Sequence, residues 1–294
     1  MKIERSIYRH FGRPKPEGLT QTTTNRKINT FVHDAVTDAH WIAVHGPIMA
    51  GKTAAVGSAL RKVQKKTRKN IRYVNLYWPD RRGITISEVL NQMIYTLGEE
   101  YIGRRSPRRG KEIRMYQVLD ILIEAKSRGH HVVLQIDEAH ELHGMTIKAL
   151  KRLWEYDYKG ESDLLTILLV GQPKLEHKIK ADREVRKRCY LHEMKYKPEE
   201  KAIIAKHHAS GLINNEIAAT LADRLEQPGD IVYAIRKALL RCIKLDKERP
   251  ELDDFTLPKQ REQRKKEKPK RVKVDSSQLD RLEKKYGKGV ADHG

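Results

Sequence analysis

The stretch Gly46-Pro-Ile-Met-Ala-Gly51-Lys52-Thr53 restricts what this chain can be more than any other. It fits the pattern GxxxxGK[ST], and its surroundings fit as well. Residues 41–45, WIAVH, form a short apolar run that reads as a strand, and residues 53–66 read as a helix. A glycine-rich turn between a strand and a helix lets backbone N–H groups wrap a phosphate. The helix N-terminus brings its partial positive charge to the same point. Lys52 then reaches β- and γ-phosphates, and the Thr53 hydroxyl is the expected Mg²⁺ ligand. Gly46, Gly51 and Ala54 complete the expected ATP-binding set. A chance glycine-rich turn is the alternative, and the flanking elements argue against it.

A second motif follows. Val132-Val-Leu-Gln-Ile136 is an apolar strand that ends in Asp137 and Glu138. In a parallel sheet, an acid at the C-terminal end of a strand sits beside the phosphate loop. Asp137 is expected to hold Mg²⁺ through water, and Glu138 to polarise the attacking water. A solvated acidic turn is the other reading. Asp137 to His140 spells DEAH, but a helicase of that kind needs two tandem nucleotide domains, and one set of motifs is visible. HExxH fails at His140 and at His192, since Gly144 and Tyr196 stand where the second His belongs. A third core strand, Leu164 to Val170, runs into Gln172. This residue is placed to touch a γ-phosphate or the lytic water, unless it is only a turn residue before Pro173.

Helical periodicity recurs at residues 25–38, 87–101, 112–126 and 145–158. After Pro198 the pattern is purely helical, at 198–209, 214–226 and 230–245. Strands alternating with helices, then helices alone, predict an α/β domain with a parallel core sheet and a small helical domain behind it. The expected organisation is an extended arm over 1–23, an α/β ATPase core over 24–196, a helical lid over 197–246 and a basic, flexible tail over 247–294.

Charge bears on the partner. The chain of 294 residues carries 60 Lys and Arg against 39 Asp and Glu, a net +21. The excess is clustered at Arg61–Arg72, Arg104–Arg114 and Lys259–Lys273, which points to a polyanion such as nucleic acid. The Lys259–Lys273 stretch has almost no apolar content and is expected not to fold alone. It would bind DNA loosely or dock a partner, and residues 277–286 have the pattern of a short partner helix. No apolar run is long enough to span a membrane, and the N-terminus lacks the apolar segment of a secretory leader. Two cysteines make neither a disulfide framework nor a zinc site. An intracellular protein is expected.

Together, the phosphate loop, the DEAH-type second motif, the strand ending in VGQPKL and the helical lid resemble the AAA+ ATPases of DNA transposition. These are the TnsC, TniB and MuB group, related to the ExeA-type ATPases. The resemblance covers roughly residues 20–245 and implies an AAA+ P-loop fold. It implies a bacterial, cytoplasmic, DNA-associated protein that binds double-stranded DNA with ATP and Mg²⁺ and self-assembles on it as a helical filament or ring. It further implies recruitment of a transposase, with a target-selection protein as a further possible partner, and disassembly on hydrolysis. By position, Lys52 and Thr53 match the Walker A pair, Asp137 and Glu138 the Walker B pair, and Gln172 sensor 1. An arginine finger for the neighbouring subunit is implied just before the last core strand. Arg183, Arg186 and Arg188 all lie there, with Arg188 favoured and Arg186 next. The lid departs from the family: Val232 stands where sensor 2 would place arginine after Gly229, and Arg236 lies a turn further on.

In such assemblies DNA lines the inner surface. Arg104, Arg105, Arg108, Arg109 and Lys111 suit that place, as do Lys148, Lys151 and Arg152 on one helical face. Phosphate contacts of this kind carry little base readout. The competing reading of each group is a solvated charged surface. The Arg61–Arg72 cluster is expected on the outside of the phosphate-loop helix. A helicase loader or replication initiator is the alternative function. The short arm and the want of a further DNA-binding domain after residue 245 speak against it.

Overall fold

Five short runs rich in Val, Ile and Leu build the central sheet: β1 (Trp41–His45), β2 (Asn70–Leu76), β3 (His130–Ile136), β4 (Leu165–Gly171) and β5 (Cys189–Glu193). The computed structural model describes residues 2–15, 18–66, 70–76, 78 and 83–258. The strands lie in the order β2-β3-β4-β1-β5, and every pairing is parallel. β1 and β4 are buried at every position, as strands covered on both faces must be.

The helices are α1 (Lys2–His10), α2 (Thr23–Thr37), α3 (Lys52–Lys66), α4 (Ile86–Ile102), α5 (Lys111–Ser127), α6 (Gly144–Glu155), α7 (Pro173–Ala181), α8 (Arg183–Arg186), α9 (Pro198–His208), α10 (Asn215–Arg224) and α11 (Pro228–Lys244). Successive residues of a strand point to opposite faces, and the sheet is sorted accordingly. Leu168 and Val170 of β4 pack with Ile28, Val32, Val56 and Val63 of α2 and α3. Ile167 and Leu169 of the same strand pack with Leu90, Met93, Leu119, Leu122 and Leu150 of α4, α5 and α6. Local caps mark the helix starts. The Thr22 side chain accepts from Asn25 N at 3.1 Å before α2, and Asn214 Oδ1 accepts from Ile217 N at 2.8 Å before α10.

The register sets the functional edge. His45 lies opposite Gly171, and Ile136 opposite Leu169 and Leu76. The segments after β1, β3 and β4 therefore leave the sheet side by side. This edge carries the phosphate loop, the acidic pair and Gln172.

α9, α10 and α11 form the lid, with Leu212, Leu221, Ile231, Ile235 and Leu239 in its core. The N-terminal residues differ from the extended arm expected there. They form α1, which places Ile7 and Tyr8 in the lid core with Phe11 packed against it. Phe11, one residue past the helix, follows Tyr8 by three positions and Ile7 by four, the spacings at which side chains meet on a helical turn. The Tyr8 hydroxyl donates to His208 O at 2.5 Å. Pro14 lies beyond the helix and does not prevent it. Past the lid, Phe255 returns into the same core. Residues up to 258 thus include an ordered extension where the expected tail begins, whereas the basic stretch 259–273 and the segment 277–286 lie outside the described residues. α6 ends three residues earlier than its periodicity suggested, because Tyr158 exchanges two backbone hydrogen bonds with Glu161 in a turn.

Candidate nucleotide site and its surroundings

Gly51 has φ +82°, a left-handed conformation that glycine adopts without steric cost, and α3 begins at the next residue. The N–H groups that open a helix have no partner within it, so those of Lys52, Thr53 and Ala54 face the hollow of the loop. A phosphate is the group that such a concave, donor-rich turn fits. Lys52 Nζ donates to the carbonyls of Gly46 at 3.0 Å and Pro47 at 2.8 Å, so its ammonium already lies over the loop. Burial lowers its pKa, while Glu138 and Asp137 push the other way.

The second motif meets the first directly. Thr53 Oγ1 donates to Asp137 Oδ1 at 3.2 Å, although the two residues are far apart in sequence. A hydroxyl and a carboxylate in contact beside a phosphate cradle form an oxygen donor set of the kind Mg²⁺ takes, directly or through water. Asp137 Oδ1 also accepts from Glu138 N at 2.9 Å. Glu138 has φ +51°, unusual for a residue with a side chain. The sharp turn lifts its carboxylate off the strand axis and leaves it about half exposed on the functional edge. Gln172 follows β4 beside the loop, since Gly46 N donates to Gly171 O at 3.2 Å, and it opens α7.

His140 is the site residue that motif reading missed, set aside above as no metal ligand. Its ring is buried beside the C-terminal ends of β3 and β4. Nδ1 lies 3.3 Å from Glu138 Oε2 and 3.4 Å from Gln172 N, and Nε2 lies 3.2 Å from Glu141 Oε1. Burial lowers its pKa against the opposing pull of Glu138 and Glu141. Lys178 Nζ donates to the carbonyls of His140 and Leu142, both at 2.6 Å. The only sequence signal was the fourth letter of DEAH.

The lid reaches the phosphate loop through its backbone. Gly229 N donates to Met49 O at 2.8 Å. A Cβ on Gly229 would lie 2.7 Å from that oxygen and 2.9 Å from Met49 Cβ, so only glycine fits. Val232, at the expected sensor-2 offset, is half-buried, and Arg236 is exposed a turn further along α11. Glu200 of α9 accepts from Thr24 N at 2.7 Å and from the Thr24 hydroxyl at 2.9 Å, which fastens the lid to α2.

The candidate finger residues differ in their engagement. Arg188 Nε forms an ion pair with Glu155. Arg183 and Arg186 are exposed on α8 without an ion-pair partner among the described residues. All three lie next to the N-terminal end of β5, at the opposite end of the strands from the phosphate loop of the same chain.

The basic residues divide too. Lys148 pairs with Asp182 at 3.0 Å, and Lys151 with Glu155 at 3.1 Å and with Glu184. These pairs fasten α6 to α8, so two of the three charges on the expected α6 face are neutralised within the chain. Arg152 stays exposed. Arg104, Arg105, Arg108, Arg109 and Lys111 are all exposed and have no ion-pair partner among the described residues. Their loop is braced from below. Buried Gln117 accepts from Arg108 N at 3.0 Å and donates to Ser106 O at 3.2 Å. Arg114 reaches Asn91 at 2.8 Å, and Arg128 reaches Glu100 O at 3.0 Å, so α5 runs parallel to α4. The loop must therefore travel back along α4.

A parallel sheet in this strand order, with a phosphate loop, an adjoining acidic pair and a helical lid, defines a P-loop nucleotide-binding domain of α/β class. More narrowly, residues 36–179 of this domain match the family model described as an AAA domain. Solved structures share the architecture. The ORC2 protein of Aeropyrum pernix, determined as ADPNP-ADP complexes, is 13% identical with a TM-score of 0.61, over 85% of this chain and 69% of that one. Cdc6p from Pyrobaculum aerophilum is 16% identical with a TM-score of 0.62, over 85% and 69%. The Aeropyrum pernix ORC1 protein in complex with DNA is 13% identical with a TM-score of 0.54, over 80% and 64%. At such identities the likeness is one of fold. No curated protein matches the chain. Among the described residues, no helix is long and apolar enough to cross a membrane.

Proposed function

We propose that this chain is an ATP-hydrolysing switch that assembles on duplex DNA in its ATP-bound form and serves as a target-DNA adaptor in transposition. The observation that carries the chemistry is the contact of Thr53 with Asp137 beside Lys52, with Glu138 next in the chain. Lys52 and the N–H groups of residues 51–54 bind the phosphates. Thr53 and, through water, Asp137 would hold Mg²⁺, which when bound would supply neutralisation of charge on the phosphate oxygens. Glu138 takes a proton from the attacking water, and Gln172 orients that water. Arg186 or Arg188 of one copy completes the site of the next. The transposase and any target selector would meet the assembled form. The cytoplasm of a bacterium is the compartment this role implies.

The unpaired cations of the Arg104–Lys111 loop support the DNA reading, since they are braced, exposed and not neutralised within the chain. The transposition reading rests on the sequence resemblance. A replication-initiator type of ATPase is the second reading, favoured by the likeness of fold to ORC and Cdc6 proteins, one of them determined with DNA.

Negative-stain imaging with duplex DNA tests the proposal. Filaments or rings on DNA with ATP or a slowly hydrolysed analogue, and none with ADP, are expected. Glu138→Gln should bind ATP and freeze these assemblies, with hydrolysis down about 10²–10⁴-fold. Isolated monomers on DNA, whatever the nucleotide, would overturn the assembly and favour the initiator. Normal turnover in Glu138→Gln would remove Glu138 from its role.

A further inference from the structure

The buried ring of His140 lies between the two groups that matter most to hydrolysis. Its Nδ1 is 3.3 Å from Glu138 Oε2 and 3.4 Å from Gln172 N. Each distance is a few tenths of an ångström longer than a well-seated hydrogen bond.

The two contacts make opposite demands on one nitrogen. Gln172 N–H is a donor, so it needs a lone pair on Nδ1. The Glu138 carboxylate is an acceptor, so it needs a proton there. A neutral imidazole carries one proton on its two nitrogens. Burial favours this neutral form. With the proton on Nε2, the ring donates to Glu141 Oε1 at 3.2 Å and accepts from Gln172 N–H. The Nδ1 lone pair then repels the Glu138 carboxylate. With the proton on Nδ1, the ring holds Glu138 and leaves the Gln172 N–H without an acceptor. Other charged groups near the ring are Lys178, whose ammonium is held on the His140 and Leu142 carbonyls, and Lys174. Neither supplies an acceptor for a ring proton.

We propose that His140 is a positioning residue that holds either Glu138 or the Gln172 backbone, never both, and so couples the tip of β4 to the orientation of the hydrolytic carboxylate. The inference rests on the reading of Glu138 as the base. A displacement of Gln172 away from the ring frees Nδ1 to take the proton and grasp Glu138. A displacement toward the ring releases Glu138 to face water. The backbone supports the coupling. His140 N lies under the end of β4, where a Cβ on Gly171 would be 3.1 Å from it, so the backbone that carries the ring is packed against the strand tip.

Two measurements test this, one of them independent of hydrolysis. The first is ¹⁵N NMR of the His140 ring in the full chain, assigned by comparison with His140→Gln and recorded for wild type and Glu138→Ala. Glu138 is about half exposed, so its truncation spares the fold. Without the acceptor, Nδ1 should stand at its unprotonated value. An Nδ1 that stays protonated in Glu138→Ala overturns the proposal. The second compares His140→Asn, whose amide stands near Nδ1, with His140→Gln, whose amide stands near Nε2. His140→Asn should keep kcat within about threefold. His140→Gln should lower it about 10–100-fold with little change in KM, and should lower it no further in a Glu138→Gln background. Equal kcat in the two variants overturns the proposal. A wild type that hydrolyses no ATP sinks the functional reading instead, and the resonance still decides the His140 contact.

Discussion

Glu200 is the residue on which the attachment of lid to core should be most sensitive. It is a buried carboxylate on α9, and it accepts from Thr24 N at 2.7 Å, Thr24 Oγ1 at 2.9 Å and Lys197 N at 3.1 Å. Glu200→Ala leaves two backbone N–H groups without an acceptor, while the Thr24 hydroxyl keeps its bond to Lys195 O. At about 1–3 kcal/mol for each stranded donor, the expected loss is about 2–6 kcal/mol. That is a large share of the about 5–15 kcal/mol that stabilises a typical domain. For a chain of this size, about 3 kcal/mol lowers Tm by about 6–12 °C. Glu200→Gln keeps one acceptor oxygen and should cost about 1–2 kcal/mol. Burial alone would raise the Glu200 pKa, but the N–H groups of Thr24 and Lys197 and the Thr24 hydroxyl outweigh it and hold the pKa below the usual value. Since the folded pKa is the depressed one, the contribution is present above the unfolded pKa of about 4.3 and is lost as pH falls through the folded pKa. The gap between wild type and Glu200→Gln should therefore narrow on acidification below about pH 4. Urea unfolding followed by tryptophan fluorescence, with Trp41 buried in the sheet, reads these differences. A loss under about 1 kcal/mol for Glu200→Ala at neutral pH would refute the reasoning.

Arg186→Ala should lower hydrolysis by about 10³-fold or more if Arg186 is the finger, whereas Arg188→Ala should lose only its pair with Glu155, worth about 0–1 kcal/mol; steady-state ATPase assays of both variants on DNA decide, and the reverse ranking would restore Arg188. Replacing Arg104, Arg105, Arg108 and Arg109 with Ala should weaken duplex binding and cut the slope of log K against log salt by up to about 3–4. An unchanged slope in fluorescence anisotropy would move the DNA site elsewhere. In Gly229→Ala the new methyl meets Met49 O, so the contact between lid and loop should open at a cost of about 1–3 kcal/mol. Calorimetry should register weaker binding of ATP, and unaltered affinity would show that the lid contact is idle in nucleotide binding.

Residues near one another in the chain set most of the fold. WIAVH needs no distant partner to read as a strand, nor does Lys52–Lys66 to read as a helix, because strand burial and helical periodicity are local patterns. The phosphate loop is legible for the same reason: its chemistry lies in eight consecutive residues. The α/β class followed from the alternation of such segments. Tertiary structure decided matters that depend on which distant groups meet. Ile7, Tyr8 and Phe11 are an unremarkable apolar trio until the lid offers a core to receive them. Lys148 and Lys151 had the spacing of a free basic face, but Asp182 and Glu184, which follow β4 in the sequence, pack beside α6 and claim both. Arg188 and Arg186 are equivalent as letters, and only the approach of Glu155 separates them. His140 is the plainest case. One residue type beside an acidic pair says little. Its meaning comes from Gln172, which parallel pairing of β3 and β4 brings to the same ring. Local sequence chooses the elements because propensity and burial period act over a few residues. Ion pairs and buried hydrogen bonds act over a few ångströms in space, and the fold alone determines who lies within that reach.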